Sequence, residues 1–139
     1  MICKPDKYGH ELTESDVRGY FDYAIQRDGI INLDTNDLKD FQTGLDKIVA
    51  TEVYCYGKQL DSDLQEALDE MITKQESLIV KRIIAILVTT SNMSALAHSV
   101  KLSACLPESV ESKIGVYVDK TLPEEMVRTL ICVGYVKEQ

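Results

Sequence analysis

The sequence predicts a mainly α-helical protein that folds as one compact domain over residues 1–139, with a small β element near its C-terminus. Apolar side chains recur at spacings of three and four along most of the chain, which is the stripe of an amphipathic helix. Apolar residues make up 45% of the composition, enough for one core without disulfides. No glycine, proline or asparagine interrupts residues 63–90. An α+β fold is the minor alternative.

Two helices are predicted in the N-terminal half, behind an irregular arm of residues 1–12. The first ends before Gly29, because glycine readily adopts the left-handed conformation that stops a helix. Its stripe comprises Val17, Tyr20, Phe21, Ala24 and Ile25. The second begins near Asp34 or Thr35 and ends at Gly57. Its stripe comprises Leu38, Phe41, Leu45, Ile48, Val49, Val53 and Tyr56. We expect the two helices to pack as an antiparallel hairpin.

The central segment, residues 61–90, is predicted to form one long helix. Its stripe comprises Leu64, Ala67, Leu68, Met71, Ile72, Ile79, Ile83, Ile86 and Leu87. Residues 82–90 are also rich in β-branched side chains, and periodicity does not separate a buried strand from a buried helix in a short apolar run. The lack of a helix breaker favours the helix. A strand at residues 82–90 would instead make the second half of the chain an α/β unit.

A further helix is predicted at the polar break TSNM, residues 90–93. Ser91, Asn92 and Ser94 are its candidate N-caps, because their side chains can accept from first-turn amides. Its apolar stripe comprises Met93, Leu96, Ala97, Val100 and Ala104.

The C-terminal part is predicted to hold one strand and one helix. Residues 112–120, with sequence SKIGVYVDK, alternate in polarity and predict the strand. Thr121 and Glu124 match a capping box, which predicts a helix that continues to Ile131. The tail LICVGYV, residues 130–136, is rich in β-formers and could instead pair with the strand at residues 114–118.

The charge balance argues against nucleic-acid binding. Lys and Arg total 15 against 23 Asp and Glu, for a formal charge of −8. The basic residues are scattered, whereas binding to a phosphate backbone draws its affinity from clustered cations. The most apolar window, residues 78–88, is broken by Lys81 and Arg82 and is too short to span a bilayer. We therefore expect neither a nucleic-acid nor a membrane partner.

The cysteines indicate a cytoplasmic protein. Cys3, Cys55, Cys105 and Cys132 lie far apart and are flanked by apolar residues, as reduced core thiols are. The N-terminal residues contain no apolar run typical of a signal peptide.

Residues 26–41 resemble a calcium loop in composition but not in spacing. An EF-hand loop needs glycine at position six and oxygen ligands at defined positions, ending in glutamate at twelve. With Gly29 at position six, Ala24 falls at one and Thr35 at twelve. The two histidines, His10 and His98, further limit metal and acid–base chemistry. We therefore predict no metal, no cofactor and no catalytic residue, and the sequence favours a non-enzyme.

The main functional interpretation is a protein-binding adaptor or a small acidic inhibitor of the immunity or anti-defence type. It would present an acidic helical face to a partner with a basic surface, and exposed tyrosines would anchor the contact. The predicted contact residues are Asp61, Asp63, Glu66, Asp69, Glu70, Tyr54 and Tyr56. A homo-oligomer formed through the apolar end of the central helix is an open alternative.

The alternative interpretation is a small-ligand or nucleotide-binding protein, including an enzyme of that class. If residues 82–90 were a strand, the turn after it would place hydroxyls and free amides at a positive helix terminus, which favours phosphate or carboxylate. The residues concerned are Thr89, Thr90, Ser91, Asn92 and Ser94. The turn contains no glycine, so it does not match a P-loop or a dinucleotide fingerprint.

Overall fold

The protein is a three-layer α/β domain built on a five-stranded mixed sheet. A computed structural model describes residues 14–73 and 77–138. The elements, in chain order, are α1 (Glu14–Ile25), β1 (Asp28–Ile31), α2 (Thr35–Gln42), β2 (Lys47–Tyr56), a 3-10 turn (Gly57–Gln59), α3 (Leu60–Thr73), β3 (Leu78–Thr89), α4 (Asn92–Cys105), β4 (Glu111–Val118) and β5 (Met126–Lys137). The prediction of a mainly helical fold is therefore wrong.

The sheet has the strand order β1-β4-β3-β5-β2. β3 runs parallel to β4 and antiparallel to β5, while β2 is antiparallel to β5 and β1 is antiparallel to β4. β2, β3 and β4 consequently point the same way. Because parallel strands need a crossover, α3 links β2 to β3 and α4 links β3 to β4.

The two faces of the sheet carry two separate cores. Odd-numbered β3 residues such as Ile83 and Leu87 pack with α3 and α4, whereas even-numbered ones such as Ile84 and Val88 pack with α1 and α2. Successive strand side chains point to opposite faces, so a strand between two helical layers must be apolar at every position.

This double burial explains why the long central helix is not formed. α3 ends at Thr73, and β3 begins directly after Ser77, whose φ of 65° breaks the helical path. Residues 83–89 are all buried, and β3 is hydrogen-bonded to a neighbour on each side. The apolar residues at the end of this segment, which predicted a helical stripe, are consecutive buried residues of the central strand β3. The β-branched density at residues 82–90 was the informative signal.

The second predicted helix is also only half correct. α2 begins at Thr35 with Asp34 as its N-cap, and Asp34 and Asp37 form a reciprocal capping box. The helix stops at Gln42, and Gly44 at φ +73° turns the chain into β2. Residues 47–56 therefore pair with β5 over their whole length instead of continuing a helix. Within residues 14–57 the predicted hairpin of two long helices is therefore not formed, and β1 lies between α1 and α2 along the chain.

The predicted C-terminal helix is replaced by a strand. Thr121 caps no helix, because both its amide and its hydroxyl donate to Asp119 within the β4–β5 connection. Glu125 has φ 68°, and β5 begins at the next residue. β5 pairs with β3 and β2 rather than with β4, so the predicted pairing of the tail with residues 114–118 is wrong as well.

Several local predictions are confirmed. α1, α4 and the strand around residues 112–118 are present, and Ser91 is the N-cap of α4. The predicted irregular arm of residues 1–12 lies outside the described residues. Within residues 14–73 and 77–138 no helix is both long and apolar enough to cross a membrane.

α4 is oriented opposite to its predicted stripe. Ala95 and Leu102 are fully buried against the sheet layer. Met93, Leu96 and Val100, which were expected in the core, are 82%, 59% and 69% exposed. Both faces of this helix are thus poor in charge, and periodicity identified the wrong one as the inner face.

The Arg82 side chain closes the C-terminal end of α2. Its guanidinium donates to the carbonyls of Phe41 at 2.8 Å and of Thr43 at 2.6 and 3.0 Å. These are carbonyls that the end of a helix leaves without partners. The guanidinium Nε also lies 3.8 Å from the carboxylate of Glu111.

We expect Arg82→Ala to lower the free energy of unfolding by about 2 kcal/mol, because it removes several hydrogen bonds from a charged donor. Urea denaturation measures this. The control is Lys81→Ala, the exposed neighbour on the same strand. Equal losses in both variants would show that the α2 contact is not stabilising.

Candidate functional site at the carboxyl edge of the sheet

One edge of the sheet collects the features that ligand sites in α/β proteins use. β2, β3 and β4 all end there, and α3 and α4 begin there. In open α/β sheets, ligands bind in the crevice outside the carboxyl ends of the strands. A ligand site in this protein is therefore expected at this carboxyl edge.

The β3–α4 turn lies at the end of the central strand. Thr89 is buried at the last position of β3, and Ser91 accepts from the Ser94 amide at 3.1 Å. The Ser91 and Ser94 hydroxyls also bond to each other at 3.0 Å. The amides of Asn92 and Met93, the first two residues after the Ser91 cap, donate to no other residue that the structure describes. The turn thus contains all the residues of the ligand-binding alternative. It also leaves the two backbone amides at the start of α4 without an acceptor among the described residues.

The connection from β4 to β5 crosses the end of β3. This follows from the strand order, since β3 lies between the two strands that residues 119–125 join. The Asp119 amide donates to the Thr89 carbonyl at 2.8 Å, and the Gly57 amide donates to the Glu125 carbonyl at 2.8 Å. These bonds tie the three loops of the carboxyl edge to one another.

Asp119 anchors this connection to α1. Its carboxylate accepts from the Thr121 amide at 2.9 Å, from the Thr121 hydroxyl at 2.6 Å and from the Tyr23 hydroxyl, and Arg27 Nε lies 3.5 Å away. Burial by itself raises the pKa of this carboxyl, but the bonds from Thr121 and Tyr23 and the charge of Arg27 outweigh burial and lower the pKa to about 2. Asp119 is therefore ionised and fully engaged.

A buried ion pair lies under α1 beside this anchor. Arg128 Nε donates to Glu52 Oε2 at 2.7 Å, and the two side chains are 15% and 0% exposed. The Arg128 guanidinium also lies over the Tyr20 and Tyr23 rings, at 4.7 and 4.8 Å from their centroids. Arg27 lies over the Tyr23 ring at 4.4 Å. Two guanidinium groups and two aromatic rings thus form one stacked cluster.

Burial and the ion pair act together on the ionisation of Tyr20 and Arg128. Burial raises the pKa of Tyr20 well above its ordinary value, and the charge of Glu52 raises it further. Burial alone would lower the pKa of Arg128, but the hydrogen bond to Glu52, together with the electrostatic interactions with Tyr20, Glu52 and Tyr23, outweighs burial and raises it. Arg128 stays a cation and Tyr20 stays neutral. Since each arginine is matched by a carboxylate, the cluster carries no net charge.

Sequence reasoning missed this cluster, which comprises Tyr20, Tyr23, Arg27, Glu52, Asp119 and Arg128. The usable signal was that Glu52 and Arg128 are solitary charges inside apolar strands, at EVYCY and VRTLICV. A lone charge in such a run needs a buried partner of opposite sign. That signal appears only if both segments are recognised as strands.

The residues predicted to contact a partner lie on two elements. Asp61, Asp63, Glu66, Asp69 and Glu70 are all on α3, where Asp69 accepts from Gln65 at 2.9 Å. Tyr54 and Tyr56 are at the end of β2, and residues two apart on a strand share a face. Tyr54 and Tyr56 therefore lie on the same face of the sheet, on a strand and not at the end of a helix.

Burial disfavours the ionised thiols of the described cysteines and the charged imidazole of His98. Burial raises the pKa of Cys55 and of Cys132 to about 12, with Asp63 adding to the effect at Cys55, and burial also raises the pKa of Cys105. Burial lowers the pKa of His98, helped by Lys101. A nucleophilic cysteine needs the opposite shift. In residues 14–73 and 77–138 no group of three or more candidate ligands is placed to hold a metal ion.

Comparison with known proteins yields a likeness of fold only. No protein-family model and no curated protein matches the sequence. Among solved structures, the empty FtsZ dimer of M. jannaschii matches with a TM-score of 0.55 and 15% identity, covering 81% of this chain and 37% of that one. A mutant FtsZ of the same organism matches with a TM-score of 0.49 and 20% identity, covering 78% of this chain and 34% of that one. The chain thus spans well under half the length of these neighbours.

The fold overturns the main functional interpretation. The acidic inhibitor was inferred from one continuous helix over residues 61–90 that displayed an acidic face in a helical pack. That segment is split into α3 and the central strand β3 of an α/β sheet similar to part of FtsZ. The interpretation as a helical acidic inhibitor is wrong, and the alternative that placed a strand before Thr90 fits the structure better.

We expect Asp119→Asn to change the acid dependence of stability. An aspartate in an unfolded chain has a pKa of about 3.9, whereas Asp119 in the folded protein has a pKa of about 2. Because the folded pKa is the lower, the carboxylate stabilises the fold above pH 4 by on the order of 2 kcal/mol. That contribution disappears as the pH falls from about 4 to about 2.

Denaturant unfolding of both proteins at a series of pH values measures the effect. The variant should be less stable at neutral pH, and the two curves should converge on acidification. Curves that stay parallel down to acid pH would show that Asp119 is not held ionised by its contacts.

Proposed function

We propose that the protein binds a small anionic ligand, a phosphate- or carboxylate-bearing metabolite or a nucleotide, at the β3–α4 turn. The observation that carries this proposal is the position of two unpaired amides, those of Asn92 and Met93, at the first turn of a 14-residue helix that begins at the carboxyl end of the central strand. Helix N-termini concentrate positive potential and donor groups that suit phosphate and carboxylate.

The two helices that begin at this edge differ in the charge of their first turns. α3 has Asp61 and Asp63 in its first turn, which oppose an incoming anion, whereas α4 has no acidic residue there. The nearby Asp119 carboxylate is compensated by Arg27 and by the hydrogen bonds from Thr121 and Tyr23. The N-terminus of α4 is thus the more favourable site for a negative group.

The side chains of the turn have different tasks in this proposal. Ser91 and Ser94 bond to each other and cap the helix, so they hold the turn rather than contact the ligand. Thr90 is half-buried in the turn and would supply a hydroxyl to the ligand. Asn92 is exposed and would supply a side-chain amide. The turn lacks the glycines that let a pyrophosphate approach the backbone closely, which favours a single terminal phosphate or a carboxylate.

The likeness to part of FtsZ supports this proposal through the fold alone, since an α/β sheet with helices that begin at its carboxyl edge is a scaffold for such sites.

We also propose a cytoplasmic location, which the free thiols of Cys55, Cys105 and Cys132 support.

Thermal unfolding with and without inorganic phosphate, nucleoside phosphates and small carboxylates tests the proposal. At least one compound should raise the melting temperature, because a ligand that binds only the folded state stabilises it. Asn92→Asp should abolish that shift by placing a negative charge among the donors. The same charge at a helix N-terminus stabilises the helix by about 0.3–1 kcal/mol, so the variant should remain folded.

The matched control is Ser109→Asp, which adds the same charge at an exposed position beyond the other end of α4. It should keep the ligand-induced shift. No shift with any compound, or an equal shift in the Asn92→Asp protein, would refute the site.

A further inference from the structure

The outer surface of α4 is apolar along the whole helix. We call the α4 face the set Met93, Leu96, Ala97, Val100 and Ala104, which recur at helical spacing and are all exposed. The helix contains one lysine and no acidic residue. That lysine, Lys101, is half-buried and lies to one side of the face. About three turns of helix surface therefore carry no ionised side chain.

Such a surface is unusual for this chain. Charged residues make up 27% of the sequence and the formal charge is −8, yet none of them lies on the α4 face. A helix on the outside of a globular domain normally has a polar outer side, and a helix that is apolar on both sides is normally buried on both. The inner side already packs through Ala95 and Leu102. The outer side has the composition of a surface that is covered by protein.

We propose that the α4 face is the interface of a homodimer, in which two copies of the chain pack α4 against α4 around a two-fold axis. Charge limits where two copies can meet. Two copies that each carry −8 repel one another over most orientations, and the α4 face allows close approach without opposing like charges. A basic partner would gain its affinity from the acidic surface of α3 instead.

The shape of the face is suited to a copy of itself. Small residues, Ala97 and Ala104, alternate with the larger Met93, Leu96 and Val100. A two-fold contact matches one patch with the same patch, so the large residues of one copy can enter the spaces beside the alanines of the other.

The size of the face fits the lower end of stable interfaces. Met93, Leu96 and Val100 are 82%, 59% and 69% exposed, so more than half of each residue is available for burial. Two such faces, with their rims, would bury on the order of 1,000 Å² in total, which a specific interface requires. The dimer should therefore be reversible and dependent on concentration.

Sedimentation equilibrium of the full chain, from low to high micromolar concentration, tests this inference. We expect a monomer–dimer equilibrium. Leu96→Glu, tested alone and combined with Val100→Glu, should raise the dissociation constant at least tenfold, because it buries an unpaired charge in the interface. Far-ultraviolet circular dichroism should be unchanged, since both positions are exposed. The control is Ile79→Glu, an equally apolar position that is 51% exposed on β3, which should leave the equilibrium intact.

Cysteine cross-linking locates the contact. Ala97→Cys places a thiol at the middle of the α4 face and should give a disulfide-linked dimer under mild oxidation, because equivalent residues near a two-fold axis approach each other. Ser109→Cys, exposed and away from the face, should not, although it carries the same native cysteines. A wild-type chain that stays monomeric at every concentration, or a dimer that Leu96→Glu leaves unchanged, would overturn the proposal. Neither outcome bears on ligand binding at the β3–α4 turn.

Discussion

The structure depends on the burial of β3 between two strands and two helical layers. Its backbone groups are satisfied by β4 on one side and β5 on the other, and its side chains fill both cores. A buried backbone must pair its polar groups, so a strand in this position requires neighbours on both sides. The parallel partner β4 in turn requires the α4 crossover, and the antiparallel partner β5 requires a connection that passes over the end of β3. These two requirements place the start of α4 and the β4–β5 connection at the carboxyl edge of the sheet.

The ion pair between Glu52 and Arg128 restricts the register of β2 against β5. Glu52 and Arg128 lie on adjacent strands, where Arg128 is directly opposite Tyr54. A slip of one residue would turn one of the two charges to the other face of the sheet and leave both unpaired. Because an unpaired buried charge costs far more than a well-packed pair, the ion pair penalises a pairing of β2 with β5 that is shifted by one residue. Asp119 fixes the β4–β5 connection, which it fastens to Tyr23 of α1 and to Arg27 just after that helix.

Local signals in the sequence were sufficient for several amphipathic elements and for two of the caps, but not for the Thr121–Glu124 capping box, which caps no helix. The stripe of α1, the Asp34 and Ser91 caps and the alternation of β4 were all readable. The global choice between helix and strand at residues 78–89 was not, because an element buried on both faces has no periodicity to distinguish. The same reason applies to α4, where an apolar residue set on each side left the inner face undetermined. The Tyr–Arg cluster could not be found at all without the pairing of β2 with β5.

The architecture requires residues 78–89 to be extended and paired on both sides. Nuclear magnetic resonance of the isotope-labelled chain measures this. We expect strand-type carbon shifts throughout this segment, and cross-strand contacts between Ile84 and Cys132 on one side and between Leu87 and Val116 on the other. Helix-type shifts, with contacts between residues three and four apart along the segment, would contradict the architecture and with it the site at the end of the strand.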